Sequence, residues 1–218
     1  MIAPRRSLER AMGNVGLLYV GAVLFINGLM LIGVIPGKGA GILNFFVGTM
    51  QVVFPTIALM QSGGDPGIVF AAAGIYLFGF TYLYVGFIQW TGHGGEGLGW
   101  FSLFVVICAI VIAAVLFLRE GDPFFGVVWL LWAALWFLFF VLLALHREEI
   151  TVLTGWFTIF VSFITGTIPA LILLTEAFAL DGVWAIVLAV IGVASLLVSM
   201  SLGRKRVPKA PEPVAEVR

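Results

Sequence analysis

Charge is what this 218-residue chain has least of. Asp, Glu, Lys and Arg make up 10% of it, and 11 acidic residues cancel 11 basic ones. A soluble domain carries about a quarter charged residues. Set against 62% hydrophobic residues and a mean hydropathy of +1.17, so little charge excludes a water-soluble fold, and lipid must solvate most of the apolar surface. A net charge of zero leaves no electrostatic case for nucleic acid or acidic substrates. Histidine is scarce too, with two residues, and the one cysteine, Cys108, sits inside an apolar run. It cannot form an internal disulfide and reads as a small core hydrophobe. With no His/Cys/Asp/Glu cluster the sequence offers neither a metal site nor an acid–base pair, which points away from an enzyme and from any cofactor.

What is abundant is long apolar sequence. A spanning helix needs about 20 mostly apolar residues, and seven segments qualify: about 14–35, 40–61, 68–90, 99–118, 124–145, 152–175 and 182–202. Links rich in Gly, Pro and charge separate them, such as Gly63-Gly64-Asp65-Pro66-Gly67 and Arg119-Glu120-Gly121-Asp122-Pro123. Links this short make consecutive helices antiparallel neighbours. The expected fold is therefore an all-α integral membrane protein. Residues 1–12 read as an N-terminal extension, 13–176 as a six-helix domain, 182–203 as an additional transmembrane helix and 204–218 as a proline-bearing cytoplasmic tail.

Arg5, Arg6 and Arg10 resemble a signal-peptide n-region, but the following apolar stretch is too long for one and no small-x-small site follows, so the first helix reads as retained. Met12 is an alternative start. Lys38, Arg147 and the cluster Arg204, Lys205, Arg206 and Lys209 fall on one side, against Arg119 and the N-terminal arginines on the other. The positive-inside rule then puts the N-terminus outside and the C-terminus in the cytoplasm.

Helices two, four and six open on Asn44-Phe45-Phe46, Trp100-Phe101-Ser102 and Trp156-Phe157-Thr158, whose first positions lie 56 residues apart each time. That period suggests a two-helix hairpin used three times with one helix added; Trp100 and Trp156 also suit an interfacial aromatic belt.

None of the first six segments holds Asp, Glu, Lys, Arg or His in its interior. Ion and proton carriers keep such groups there, and a retinal protein needs a lysine in its last helix, so a neutral permeant fits what remains. On helix five, Phe125, Trp129, Trp132 and Trp136 share one face at spacings of four, three and four; on helix three, Phe80 and Tyr84 share a face. Turned together, these faces would form a flat slot in which a planar amide slides between rings; the other reading is that the rings pack against helices or lipid. Asn27, Asn44 and Gln51 either tie helices together or meet a solute. Thr165 and Thr167, near Pro169, suit backbone groups that the proline frees. Gly21, Gly28, Gly79 and Gly86 suit close helix approach.

These residues fall into strings that resemble the AmiS/UreI family of urea channels and short-chain amide transporters. The strings are Leu17-Leu18-Tyr19-Val20-Gly21, Asn27-Gly28, Asn44-Phe45-Phe46-Val47-Gly48, Phe78-Gly79-Phe80-Thr81-Tyr82-Leu83-Tyr84, Trp100-Phe101-Ser102-Leu103-Phe104, the Trp129/Trp132/Trp136 stripe and Ile168-Pro169-Ala170. The resemblance implies a six-helix protomer of repeated hairpins, assembled as a homo-hexamer with one pore per protomer. It also implies that Phe80, Tyr84, Trp129, Trp132 and Trp136 form an aromatic constriction and that Leu17, Val20 and Leu24 form an aliphatic pore wall. Two departures stand out. The outer loops 62–67 and 119–123 contain no His, so transport is expected not to require acid. An acidic residue of the last family helix is missing near Val161 and Ser162.

The sequence therefore reads as a passive channel in the bacterial inner membrane for urea or short aliphatic amides, selecting by the shape of an aromatic slot and coupled metabolically to a cytoplasmic urease or amidase. The alternative is a non-transporting membrane scaffold or sensor whose aromatic stripe packs a partner helix.

Overall fold

The structure is a computed structural model that describes residues 5–204, so the tail cations Lys205, Arg206 and Lys209 lie outside the described residues. The elements are α1 (Arg5–Leu31), α2 (Gly37–Gln61), α3 (Pro66–Thr91), α4 (Glu96–Val115) continued by a π turn (Leu116–Glu120), α5 (Pro123–Leu143), α6 (Thr151–Val161), a second π turn (Ser162–Thr167), α7 (Ile168–Leu174) and α8 (Gly182–Gly203). α6, its π turn and α7 run on as one sixth span, Glu148–Leu174. Among the described residues, seven such stretches are long and apolar enough to cross a bilayer.

The charged links act as helix punctuation. Asp65 precedes Pro66 and its Oδ1 accepts from the N–H groups of Gly67 at 2.8 Å and Ile68 at 3.3 Å. Asp122 precedes Pro123 and accepts from Phe125 N–H at 3.0 Å, and Asp181 caps α8 from Val183 and Trp184. An Asp cap followed by a proline that has no N–H to satisfy is a compact helix start. Gly92 and Gly121 close the preceding helices in left-handed backbone, at φ 75° and 65°.

The tightest pairings are α2 with α3, α4 with α5, and α1 with the sixth span. Glycines set two of these distances. A Cβ on Gly48 would stand 2.8 Å from Leu83 N, and one on Gly28 would stand 2.9 Å from Gly155 O. The backbones touch, as small residues at membrane helix crossings allow. The third hairpin therefore takes its second helix from the start of the chain, α1, and the ring of six closes on itself. α8 stands outside it, against α6 and α5.

The internal repeat is real, but its register differs from the 56-residue alignment on Asn44, Trp100 and Trp156. Asn44 is fully buried while Trp100 is 57% exposed, so the two are not equivalent. Burial aligns Gly41-x-x-Asn44-x-x-Val47 with Gly99-x-x-Ser102-x-x-Val105 and Gly155-x-x-Thr158-x-x-Val161, in which the glycine, the polar residue and the valine are all buried. The units are thus offset by 58 and 56 residues, and the same register carries on to Pro55, Ala113 and Pro169. The bulky aromatics are the conspicuous letters, but the small and hydroxyl residues define the repeat because they face the neighbouring helix.

A methyl group at the α1–sixth span crossing should wedge two backbones apart. Gly28→Ala is expected to cost about 1–3 kcal/mol, whereas Gly13→Ala, with open space around its Cβ, should cost little. Thermal unfolding of both variants in detergent, followed by circular dichroism, checks the difference.

Candidate functional site

Helix α1 turns one stripe inward, Leu17, Val20, Leu24 and Asn27, at helical spacings of three, four and three. All four are buried, and they run along two successive cavities. The first, about 320 Å³, opens at the end where α1 enters and where α2 ends and α3 begins. Leu17, Val20, Gln51, Phe54 and Pro55 line it together with Gly74, Phe78, Phe125, Trp129 and Trp132. The second is a gap of about 20 Å³ among Leu24, Asn27, Thr81, Tyr82, Ser102, Leu135, Trp136 and Phe139.

An aromatic layer divides the two. Phe78 sits at its centre, with ring centroids 4.6 Å from Trp132, 4.8 Å from Trp136 and 5.7 Å from Trp129, each at a steep interplanar angle of 64° to 77°. Trp129 and Trp132 meet at 5.1 Å and 78°. Such edge-to-face contacts contribute about 0.5–1.5 kcal/mol each beyond area burial. The layer is also anchored. Trp132 Nε1 donates to Thr165 Oγ1 at 2.9 Å, and that hydroxyl donates onward to Val161 O at 2.6 Å. Thr165 reaches the indole from within the π turn of the sixth span, where the local backbone departs from α geometry ahead of Pro169.

The walls of both cavities are almost free of charge. Among the residues lining either cavity, Asp122 is the only carboxylate, and no Lys, Arg or His is present. Asp122 sits at the open mouth, where it caps α5. Among the described residues no group of His, Cys, Asp and Glu could hold a metal ion.

The model of the AmiS/UreI family transporter matches residues 12–177. The chain belongs to the AmiS/UreI family. It is 52% identical over 191 residues to the putative transporter protein AmiS2 of Rhodococcus erythropolis, covering 85% of this chain and 93% of that one. It is 50% identical to a putative amidate substrates transporter protein of Mycolicibacterium smegmatis, covering 89% and 91%. A cryo-EM structure of the Helicobacter pylori urea channel in its closed state superposes with a TM-score of 0.68 at 30% identity, over 76% of this chain and 99% of that one. As a member of the AmiS/UreI family the protein is a multi-pass membrane transporter rather than an enzyme, and α8 lies beyond the part that the family model covers.

The positions expected from the sequence divide cleanly in this family member. Leu17, Val20, Leu24 and Asn27, and Trp129, Trp132 and Trp136, line the two cavities. Phe125 lines the larger one. The helix-three pair requires correction. Phe80 is 50% exposed and stacks on Tyr76 at 5.8 Å, away from the tryptophans. Tyr84 packs at the far end beside Val85, Ile88 and Leu98, with its hydroxyl over Gly97. The rings that meet α5 belong to Phe78, and the phenol in the inner gap to Tyr82. Both pairs are i, i+4, and they lie on opposite sides of the Gly79/Gly86 seam that meets α2. Spacing alone cannot say which side of that seam faces inward.

The Thr165 anchor generates a test independent of transport. Thr165→Val leaves the Trp132 N–H without an acceptor and should cost about 1–2 kcal/mol, while Thr165→Ser should retain most of the stability. Denaturation midpoints of the two variants in the same detergent check this.

Proposed function

We propose that the protein is a passive channel for small, flat, uncharged solutes, urea or short aliphatic amides such as acetamide. The observation that carries this reading is a route whose one carboxylate, Asp122, stands at the mouth, and in which one layer of edge-to-face rings separates a roomy cavity from a narrow polar one. Beyond that mouth a desolvated ion finds no counter-charge along the walls. A thin planar molecule can pass between indole faces as they part, keeping its hydrogen bonds at either side of the layer. The name of the Mycolicibacterium smegmatis relative, an amidate substrates transporter at 50% identity, favours amides over urea as the principal solute.

The rest of the reading follows the chemistry of the ends. The links at the wide mouth hold Asp65 and Asp122 but no His, while His93 and His146 both lie at the other end and are exposed. Flux that does not depend on acid follows, in contrast with the relative named an acid-activated urea channel. The wide mouth faces outward and the C-terminus faces the cytoplasm of a bacterial inner membrane. The protomers form a homo-hexamer with a pore in each, and a cytoplasmic amidase or urease consumes what enters.

Stopped-flow light scattering on proteoliposomes tests the proposal. Urea and acetamide should equilibrate well above the rate of empty vesicles. Trp132→Ala should change that rate or its solute preference far more than Trp184→Ala, whose ring stacks on Phe178 at the start of α8. Flux at pH 5 should stay within about twofold of that at pH 7. A rate equal to that of empty vesicles would instead favour a scaffold or sensor.

A further inference from the structure

Below the aromatic layer lies a polar arrangement that shape selection does not require. Asn27 Nδ2 donates to Asn44 Oδ1 at 3.0 Å, and Asn44 Nδ2 donates back to Asn27 Oδ1 at 2.6 Å. The second N–H of Asn44 donates to Ala40 O at 2.9 Å. A carbonyl only accepts, so Ala40 O fixes which end of the Asn44 amide is nitrogen, and the reciprocal pair then fixes Asn27. Asn44 has both N–H groups engaged. Asn27 keeps one N–H and one oxygen lone pair unused, and it lines the inner gap.

Across that gap stands Tyr82, 1% exposed, and its hydroxyl is the one buried side-chain polar atom without a hydrogen-bond partner among the described residues. The two other hydroxyls in the wall are engaged as donors on their own helices, Thr81 to Leu77 O at 2.7 Å and Ser102 to Leu98 O at 2.8 Å, and offer only lone pairs. A buried phenol left unpaired is costly unless something visits it.

We propose that the inner gap is an amide-reading subsite, in which Asn27 and the Tyr82 hydroxyl contact the permeant and Asn44 is the positioning residue that holds Asn27 in one orientation. The proposal rests on the channel reading and names the chemistry recognised. The ligand class is a primary carboxamide or urea: its carbonyl accepts from Tyr82 O–H or Asn27 N–H while its own N–H donates to Asn27 Oδ1. A ketone or an ester lacks that donor. The Asn27–Asn44 pair is itself the two-bond amide dimer that such a molecule makes. The resting gap of about 20 Å³ is the size for a single water, so an amide occupies it only as the Trp136 and Phe139 rings yield.

The internal repeat supplies the variant that tests this. Ser102 and Thr158 hold the register position of Asn44 and bond back to their own helices, so Asn44→Ser keeps a side chain that the fold accepts there while releasing Asn27. In proteoliposomes of the full chain, the ratio of acetamide flux to glycerol flux should fall at least fivefold in Asn44→Ser, with a melting temperature within a few degrees of wild type. Tyr82→Phe, which keeps the ring, should lower the same ratio about threefold. A folded Asn44→Ser or Tyr82→Phe protein with the wild-type ratio would show that the pair is only a brace between α1 and α2, and would overturn the subsite alone. Wild-type protein without acetamide flux would remove the channel reading and the subsite together.

Discussion

Hydrocarbon offers no hydrogen-bond partner, and that constraint organises every polar atom within the spans of this protein. The buried hydroxyls turn back on their own helices: Thr81, Ser102, Thr154, Thr158, Thr165 and Ser199 each donate to the carbonyl four residues earlier. Other bonds reach across to another span. Gln51 donates to Gly16 O at 3.2 Å, Thr56 meets the Tyr76 hydroxyl at 2.7 Å, and the Asn27–Asn44 and Trp132–Thr165 bonds join α1 to α2 and α5 to the sixth span. Satisfying polarity and fixing the bundle are thus one operation. Among the described residues it leaves one buried side-chain polar atom without a partner, the Tyr82 hydroxyl, in the wall of the inner gap.

The same constraint explains why the sixth span is broken. Pro169 cannot donate, and its ring crowds the preceding turn. The chain accommodates this with the π turn Ser162–Thr167, in which Thr167 Oγ1 donates to Ser162 O at 3.2 Å. Gly21 of α1 fits against that turn, where a Cβ would stand 2.7 Å from Thr167 N. The irregular segment is covered by a neighbour, as non-helical backbone at membrane depth must be. It also carries Thr165 to the Trp132 indole. A local backbone repair and the anchoring of the aromatic layer share the same six residues.

How much of this could be read from sequence follows from which forces act along a helix and which act between helices. The spans were legible because length and apolarity decide them, and the Asp-Pro and Gly links because capping is local. The stripe Leu17, Val20, Leu24 and Asn27 and the tryptophan face of α5 were legible because each sits on one helix with a single inward face. Thr165 and Thr167 donate to the carbonyls of Val161 and Ser162, one turn or more ahead of the groups that Pro169 frees, and the indole that Thr165 also receives belongs to a residue 33 positions away. On α3 the choice between Phe78/Tyr82 and Phe80/Tyr84 depends on where α5 lies relative to the glycine seam, which no single-helix pattern contains. The repeat register was obscured for a related reason: Trp100 and Trp156 attract the eye, whereas Gly41, Gly99 and Gly155 carry the inter-helix contact.

α8 shows how an addition can stay outside both cavities while packing on the helices that wall them. No residue of α8 lines either cavity. It lies behind the walls, with Gly192 against Leu131 of α5 and Gly203 against Leu153 of α6. A Cβ on Gly192 would stand 2.5 Å from the Leu131 side chain, and one on Gly203 would stand 3.1 Å from Leu153 N. α8 backs the helix that bears Trp129, Trp132 and Trp136 and the sixth span, which carries Thr165 in its π turn. If indole rings must part for a solute to pass, the ease of that motion depends on how firmly their helix is backed, because close-packed interiors transmit displacement rather than absorb it. The extra span therefore backs the aromatic layer from outside, while the walls of both cavities are drawn from the part of the chain that the family model covers.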